Sequence, residues 1–161
     1  PPPTSPASPG SIISQELALR HPELVRSLVL QSTWSVPDPF LRSWALFVRW
    51  LLEVAPSERA FLEAFFAFPH KQTTEDVQRF LDAFLAHDTS DRLHEIVAPT
   101  LVLAGGRDMT SRPPLCRAVA GRIPVARFEV MEEEAHQPFQ EVPDEWNARV
   151  DAFWREVETR G

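Results

Sequence analysis

Apolar and polar positions along the chain fall into two kinds of segment. From Ser11, the residues Ile12, Ile13, Leu17 and Leu19 share one side of a helix that runs to Arg20 and is stopped by His21-Pro22. The run Ser27-Leu28-Val29-Leu30-Gln31-Ser32 is short and apolar, as a strand buried in a parallel sheet requires. The same pattern returns at Thr100 to Ala104 and at Ala126 to Met131, with a helix near 113–120 between them. An amphipathic helix near 143–158 follows, and Val142, Trp146, Val150, Phe153, Trp154 and Val157 form its apolar stripe.

Residues 36–90 carry no strand pattern. They hold ten of the 11 Phe and 5 Trp residues at helical spacing, and they predict helices over roughly 38–54, 57–67 and 73–86. Pro56 and Phe68-Pro69 separate these helices, and Thr73 or Thr74 caps the third through Glu75 and Asp76. Strands alternating with helices imply an α/β fold, a small sheet of three parallel strands with flanking helices and an all-helical insertion after the first strand. The expected organisation is a Pro-rich irregular arm over 1–10, an α/β core over 11–35 and 91–161, and a helical lid over 36–90.

Composition narrows the function classes. With 161 residues, 43% hydrophobic and 24% charged, the chain matches one ordinary globular domain. A net charge of −7 argues against a nucleic-acid partner, which needs a basic stripe. The single cysteine, Cys116, cannot form an intrachain disulfide, and no Cys/His zinc pattern exists. No apolar run reaches the roughly 18 residues that a membrane span needs, so no membrane partner and a cytoplasmic location are expected. Five of the 16 prolines fall within PPPTSPASPG, which cannot form an interior strand.

Ligands of parallel α/β sheets bind where strands end at their carboxyl edge. Gly105-Gly106-Arg107-Asp108 follows one predicted strand and Glu132-Glu133-Glu134-Ala135-His136 follows the next. An acid and a histidine on adjacent strand ends can pair, the acid orienting the imidazole as a general base. Ser8 precedes Pro9-Gly10-Ser11 and the first helix, where a nucleophile on a turn would sit. Each also has a plainer role: Asp108 as a turn aspartate capping the next helix, His136 closing the turn into the last helix, Ser8 as one serine of a proline-rich arm.

From about Gly10 to Val157 the sequence resembles the carboxyl-terminal part of an α/β-hydrolase of the lipase, esterase and lactonase type. Gln15 to Glu23 is similar to the helix after the nucleophile elbow, and Val25 to Leu30 to the strand that follows. Ala98 to Gly105, continuing to Asp108, resembles the strand and turn carrying the acid. Ala135-His136-Gln137-Pro138-Phe139, with Glu141-Val142-Pro143 and Trp146-Asn147, resembles the histidine loop and final helix. The resemblance implies Ser8 as nucleophile, Asp108 as orienting acid, His136 as general base and no cofactor or metal. The G-x-S-x-G elbow reads Pro6-Ala7-Ser8-Pro9-Gly10, and Pro9 lacks the backbone N–H that would serve the oxyanion hole.

The expected activity is hydrolysis of a small apolar carboxylic ester or lactone, weak in a chain that reads as a truncated or spliced hydrolase. Trp34, Phe40 and Trp44 are candidates for the substrate pocket, and Cys116 reads as a small buried residue. A non-catalytic remnant is the alternative, binding a small apolar ligand or associating through its exposed sheet edge as a homodimer. The Glu132–Glu134 run reads as solvated, with the capacity to raise the basicity of His136 if it folds close to it.

Overall fold

A computed structural model describes residues 9–54 and 73–160. The chain forms two compact units, one built from the residues up to Val36 and from Asp88 onward, the other from Pro37 to His87.

In the first unit, helix α1 (Pro9–Arg20) leads to strand β1 (Leu28–Gln31). Strand β2 (Thr100–Gly105) and strand β3 (Ala126–Met131) complete a parallel sheet in the order β1-β2-β3. Leu28 pairs with Thr100, and Thr100 with Ala126, so the three strands start level; β2 and β3 end together at Gly105 and Met131, while β1 ends two residues earlier, with Gln31 opposite Leu103. Side chains alternate across the strands. Leu28, Leu30, Val102 and Ala104 join one apolar cluster with Ala18, Cys116 and Val119, while Val29, Leu101 and Leu103 join another with Val150 and Phe153. The first cluster packs α1 and helix α4 (Pro113–Ala120) on one face, and the second packs helix α6 (Pro143–Arg160) on the other. Two covered faces explain why β1 and β2 read as unbroken apolar runs instead of alternating ones.

Two expectations are corrected in α1. Pro9 and Gly10, assigned to the irregular arm, open the helix, because proline at the first helical position gives up an N–H that has no partner there anyway. The buried face is Ser11, Ile12, Ser14, Gln15 and Ala18, whereas Ile13 is 66% exposed. Small and polar residues let the helix approach β1 closely enough for Ser11 Oγ to donate to the Gln31 carbonyl at 2.7 Å.

In the second unit, helix α2 (Pro39–Val54) buries Leu41, Ala45 and Val48 along one stripe. Asp38 accepts from the Leu41 N–H at 2.8 Å, and Thr73 and Asp76 form a capping box on helix α3 (Thr74–Ala86). The Thr73 N–H and hydroxyl hold the Asp76 carboxyl below its ordinary value. Trp44 packs on Phe84 at 6.0 Å between ring centres, and Arg49 pairs with Asp82 at 2.7 Å. The helix expected over 57–67 lies outside the described residues.

Candidate active site

The site is built where β2 and β3 end. After β2 the chain turns through Gly105 and Gly106, and these glycines are required by contact. A Cβ on Gly105 would lie 1.8 Å from the Ala135 carbonyl oxygen, and one on Gly106 would lie 2.4 Å from that of Glu132. With no side chain in the way, the two loops interlock: the Gly106 N–H donates to the Met131 carbonyl at 2.8 Å and the Arg107 N–H to that of Glu134 at 2.9 Å. This close seating brings the histidine loop to the aspartate.

Asp108 Oδ2 lies 2.7 Å from His136 Nδ1. The other carboxylate oxygen accepts from the Thr110 N–H at 2.8 Å, the Ser111 N–H at 3.0 Å and the Thr110 hydroxyl at 2.8 Å. Because the Thr110 hydroxyl donates its proton to Asp108, its oxygen is left to accept from His136 Nδ1, 2.9 Å away. This arrangement fits the tautomer with Nδ1 protonated, and it leaves the Nε2 lone pair without a partner among the described residues. The Asp108 side chain is fully enclosed while 30% of the His136 side chain remains accessible. Burial by itself would raise the Asp108 pKa, yet the His136 hydrogen bond and charge, with the Thr110 bonds, outweigh it and hold the carboxyl below its ordinary value.

The backbone around His136 is also held. Glu141, at the end of the short helix α5 (Pro138–Glu141), accepts from the Ala135 N–H at 2.6 Å and the Gln137 N–H at 3.2 Å. Ser32, just past β1, donates to the His136 carbonyl at 3.0 Å.

The structure therefore brings Asp108 and His136 together, while Ser8 lies outside the described residues. Trp34 is only 2% exposed, whereas Phe40 and Trp44 belong to the second unit, Phe40 exposed and Trp44 half-buried against Phe84. Cys116 is buried, and burial pushes its thiol up to about 12, which keeps it from acting as a thiolate. Glu132 and Glu133 are exposed, Glu133 pairing with Arg107, while partial desolvation and the neighbouring Glu141 raise the Glu134 carboxyl. Among the described residues no group of three His, Cys, Asp or Glu side chains is arranged to hold a metal ion. Sequence reasoning missed Thr110, although Asp-x-Thr after a glycine turn is the local signal of a side chain that hydrogen-bonds its own backbone two residues on.

Comparison with known proteins supplies the family. No family model matches the chain. It is similar to the "Putative carbamate hydrolase RutD" of Azorhizobium caulinodans, 30% identical over 92% of this chain and 64% of the relative. It superimposes on a hydrolase from Pseudomonas aeruginosa PA01 with a TM-score of 0.77 at 23% identity, covering 92% of this chain and 62% of that one. An N-acyl homoserine lactone degrading enzyme matches with a TM-score of 0.67 at 28% identity, over 89% of this chain and 64% of that one. The chain thus spans under two thirds of the length of the curated relatives and solved structures named here. No described helix is long and apolar enough to cross a membrane. With three parallel strands, flanking helices and these relatives, the chain belongs to the α/β-hydrolase fold superfamily.

Proposed function

We propose that this protein is a serine hydrolase of small apolar carboxylic esters or lactones, in which Ser8 is the nucleophile, His136 the general base and Asp108 the orienting acid. The observation that supports it is the Asp108–His136 pair: a buried carboxylate 2.7 Å from Nδ1 with Nε2 left open. In this reading Ser8 Oγ attacks the acyl carbon as Nε2 takes its proton, and Asp108 stabilises the imidazolium. Nε2 returns the proton to the leaving alkoxide, and an attacking water then frees the acid by the same relay. Pro9 offers no N–H to the oxyanion, so the Gly10 N–H in the first turn of α1 is the first backbone donor after Ser8. Loss of one oxyanion donor costs about 10² to 10³ in rate, and slow turnover is expected.

The names of the relatives extend the substrate range to be tried. Carbamates and acyl homoserine lactones present the same electrophilic carbonyl carbon as a simple ester. The apolar preference is supported by composition, since residues 36–90 hold ten of the 11 Phe and 5 Trp residues. A single thiol fits a reducing, cytoplasmic setting. Pro9 also favours a second reading, a hydrolase-fold protein that binds an apolar ligand without turning it over.

The test is the rate of p-nitrophenyl acetate hydrolysis by the purified chain beside His136→Ala and Asp108→Asn. Turnover that falls to background in His136→Ala and drops steeply in Asp108→Asn is expected. Background rates in all three, with an apolar ester still bound, would leave the binding reading in its place.

A further inference from the structure

We infer that Ser32 and Glu141 are positioning residues that lock the main chain on both sides of His136, so that its imidazole meets Asp108 at one fixed geometry. The inference rests on the proposed hydrolase chemistry only for its effect on rate.

Four observations carry it. Ser32 is the one described non-glycine residue at positive φ, 52°, and it is completely buried at the carboxyl end of β1. A serine in that region is strained, and such a conformation persists only where its surroundings enforce it. Here the Ser32 N–H is fixed by the Leu103 carbonyl at 2.9 Å, and the turn aims Oγ at the His136 carbonyl, 3.0 Å away.

Behind Ser32 stands a directed chain of hydrogen bonds. The Trp146 indole N–H in α6 donates to Gln31 Oε1 at 2.9 Å, and Gln31 Nε2 donates to Ser32 Oγ at 2.9 Å. With its acceptor site engaged by Gln31, the Ser32 hydroxyl is left to donate, and the His136 carbonyl receives that proton. The fourth observation lies on the other side of the loop. The two oxygens of Glu141 take the N–H groups of Ala135 and Gln137, the residues flanking the histidine, although Glu141 itself is exposed. A carboxylate receiving two backbone N–H groups makes stronger bonds than a neutral acceptor would. Donors before and after His136 and its own carbonyl are thus all held, and neither Ser32 nor Glu141 touches the imidazole.

The experiment uses the full chain labelled with ¹⁵N-histidine and follows the downfield Nδ1 proton of His136, a signal independent of turnover. In Ser32→Ala and in Ser32→Gly the signal is expected to broaden through exchange at least about tenfold faster, and kcat to fall by about 10- to 100-fold with KM little changed. Ser32→Gly removes the φ strain together with the hydroxyl, so a wild-type signal and rate in that variant would overturn the role of the hydroxyl. Glu141→Gln, on the exposed loop, keeps one acceptor oxygen and is expected to fall between wild type and Glu141→Ala. Glu141→Ala with an unchanged Nδ1 signal would overturn the clamp. If the wild-type chain hydrolyses no ester, the hydrolase reading fails while the proton signal still decides the positioning roles.

Discussion

The carboxyl edge of the sheet and the helical pair of the second unit are held by different means. Around Asp108 and His136 nearly every polar atom is spoken for: two glycines allow backbone to touch backbone, and Thr110, Ser111, Ser32 and Glu141 fix what remains. Along α2 the surface is aromatic and open, with Phe40, Phe47 and Trp50 each more than half exposed and ion pairs such as Arg49–Asp82 at the solvent boundary. The difference separates directional forces, which set one geometry to within tenths of an ångström, from apolar area, which fixes only that a face is covered. Chemistry that needs a fixed proton path belongs on the first kind of surface.

Changes that break the first region should have the largest effects. Asp108→Asn keeps the shape of the acid but reverses the hydrogen-bonding logic that fits His136 Nδ1–H, and a kcat loss of about 10⁴ is expected in ester hydrolysis. A loss under tenfold would show that the pair does not govern turnover. Gly105→Val would force the β2 and β3 loops apart, because a Cβ there meets the Ala135 carbonyl oxygen at 1.8 Å. Denaturant unfolding should then register about 3 kcal/mol or more of destabilisation, and wild-type stability would contradict the interlock.

Acid sharpens the same contrast. The folded Asp108 carboxyl sits below its ordinary 3.8, so the unfolded chain binds its proton first as pH falls. Its contribution to stability is fully present above pH 3.8 and is lost as pH drops through the lower folded value. A pH series of urea midpoints, wild type against Asp108→Asn, should diverge above that range and converge below it.

The second region should answer weakly. A double-mutant cycle on Arg49 and Asp82, both side chains more than two fifths exposed, is expected to return under about 1 kcal/mol. Phe47→Ser, in a ring stacked on Trp50 and 56% exposed, should move stability by no more than about 0.5 kcal/mol. A larger value at either place would show that this surface is structural.

The same division explains how much the sequence disclosed. Buried parallel strands and the amphipathic final helix have periodicities of their own, so β1, β2, β3 and α6 were legible to within a residue or two. Asp108 and His136 were legible because strand ends are few and each carries a short, polar, distinctive loop. The buried face of α1 was not, since Ser11, Ser14 and Gln15 are buried by hydrogen bonds and close approach, and an apolar pattern cannot register those. Ser32 and Glu141 were not legible as partners of His136 for a related reason. They lie 104 residues before it and five residues after it, and only the folded sheet edge makes both of them neighbours of one loop.

The most direct test of the proposed chemistry is covalent. The purified chain would be treated with a small alkyl fluorophosphonate, digested and mapped by mass spectrometry, beside His136→Ala. The account predicts one phosphonylated residue, Ser8, whose labelling disappears in His136→Ala. No adduct on Ser8, or an adduct that forms equally in His136→Ala, would contradict it.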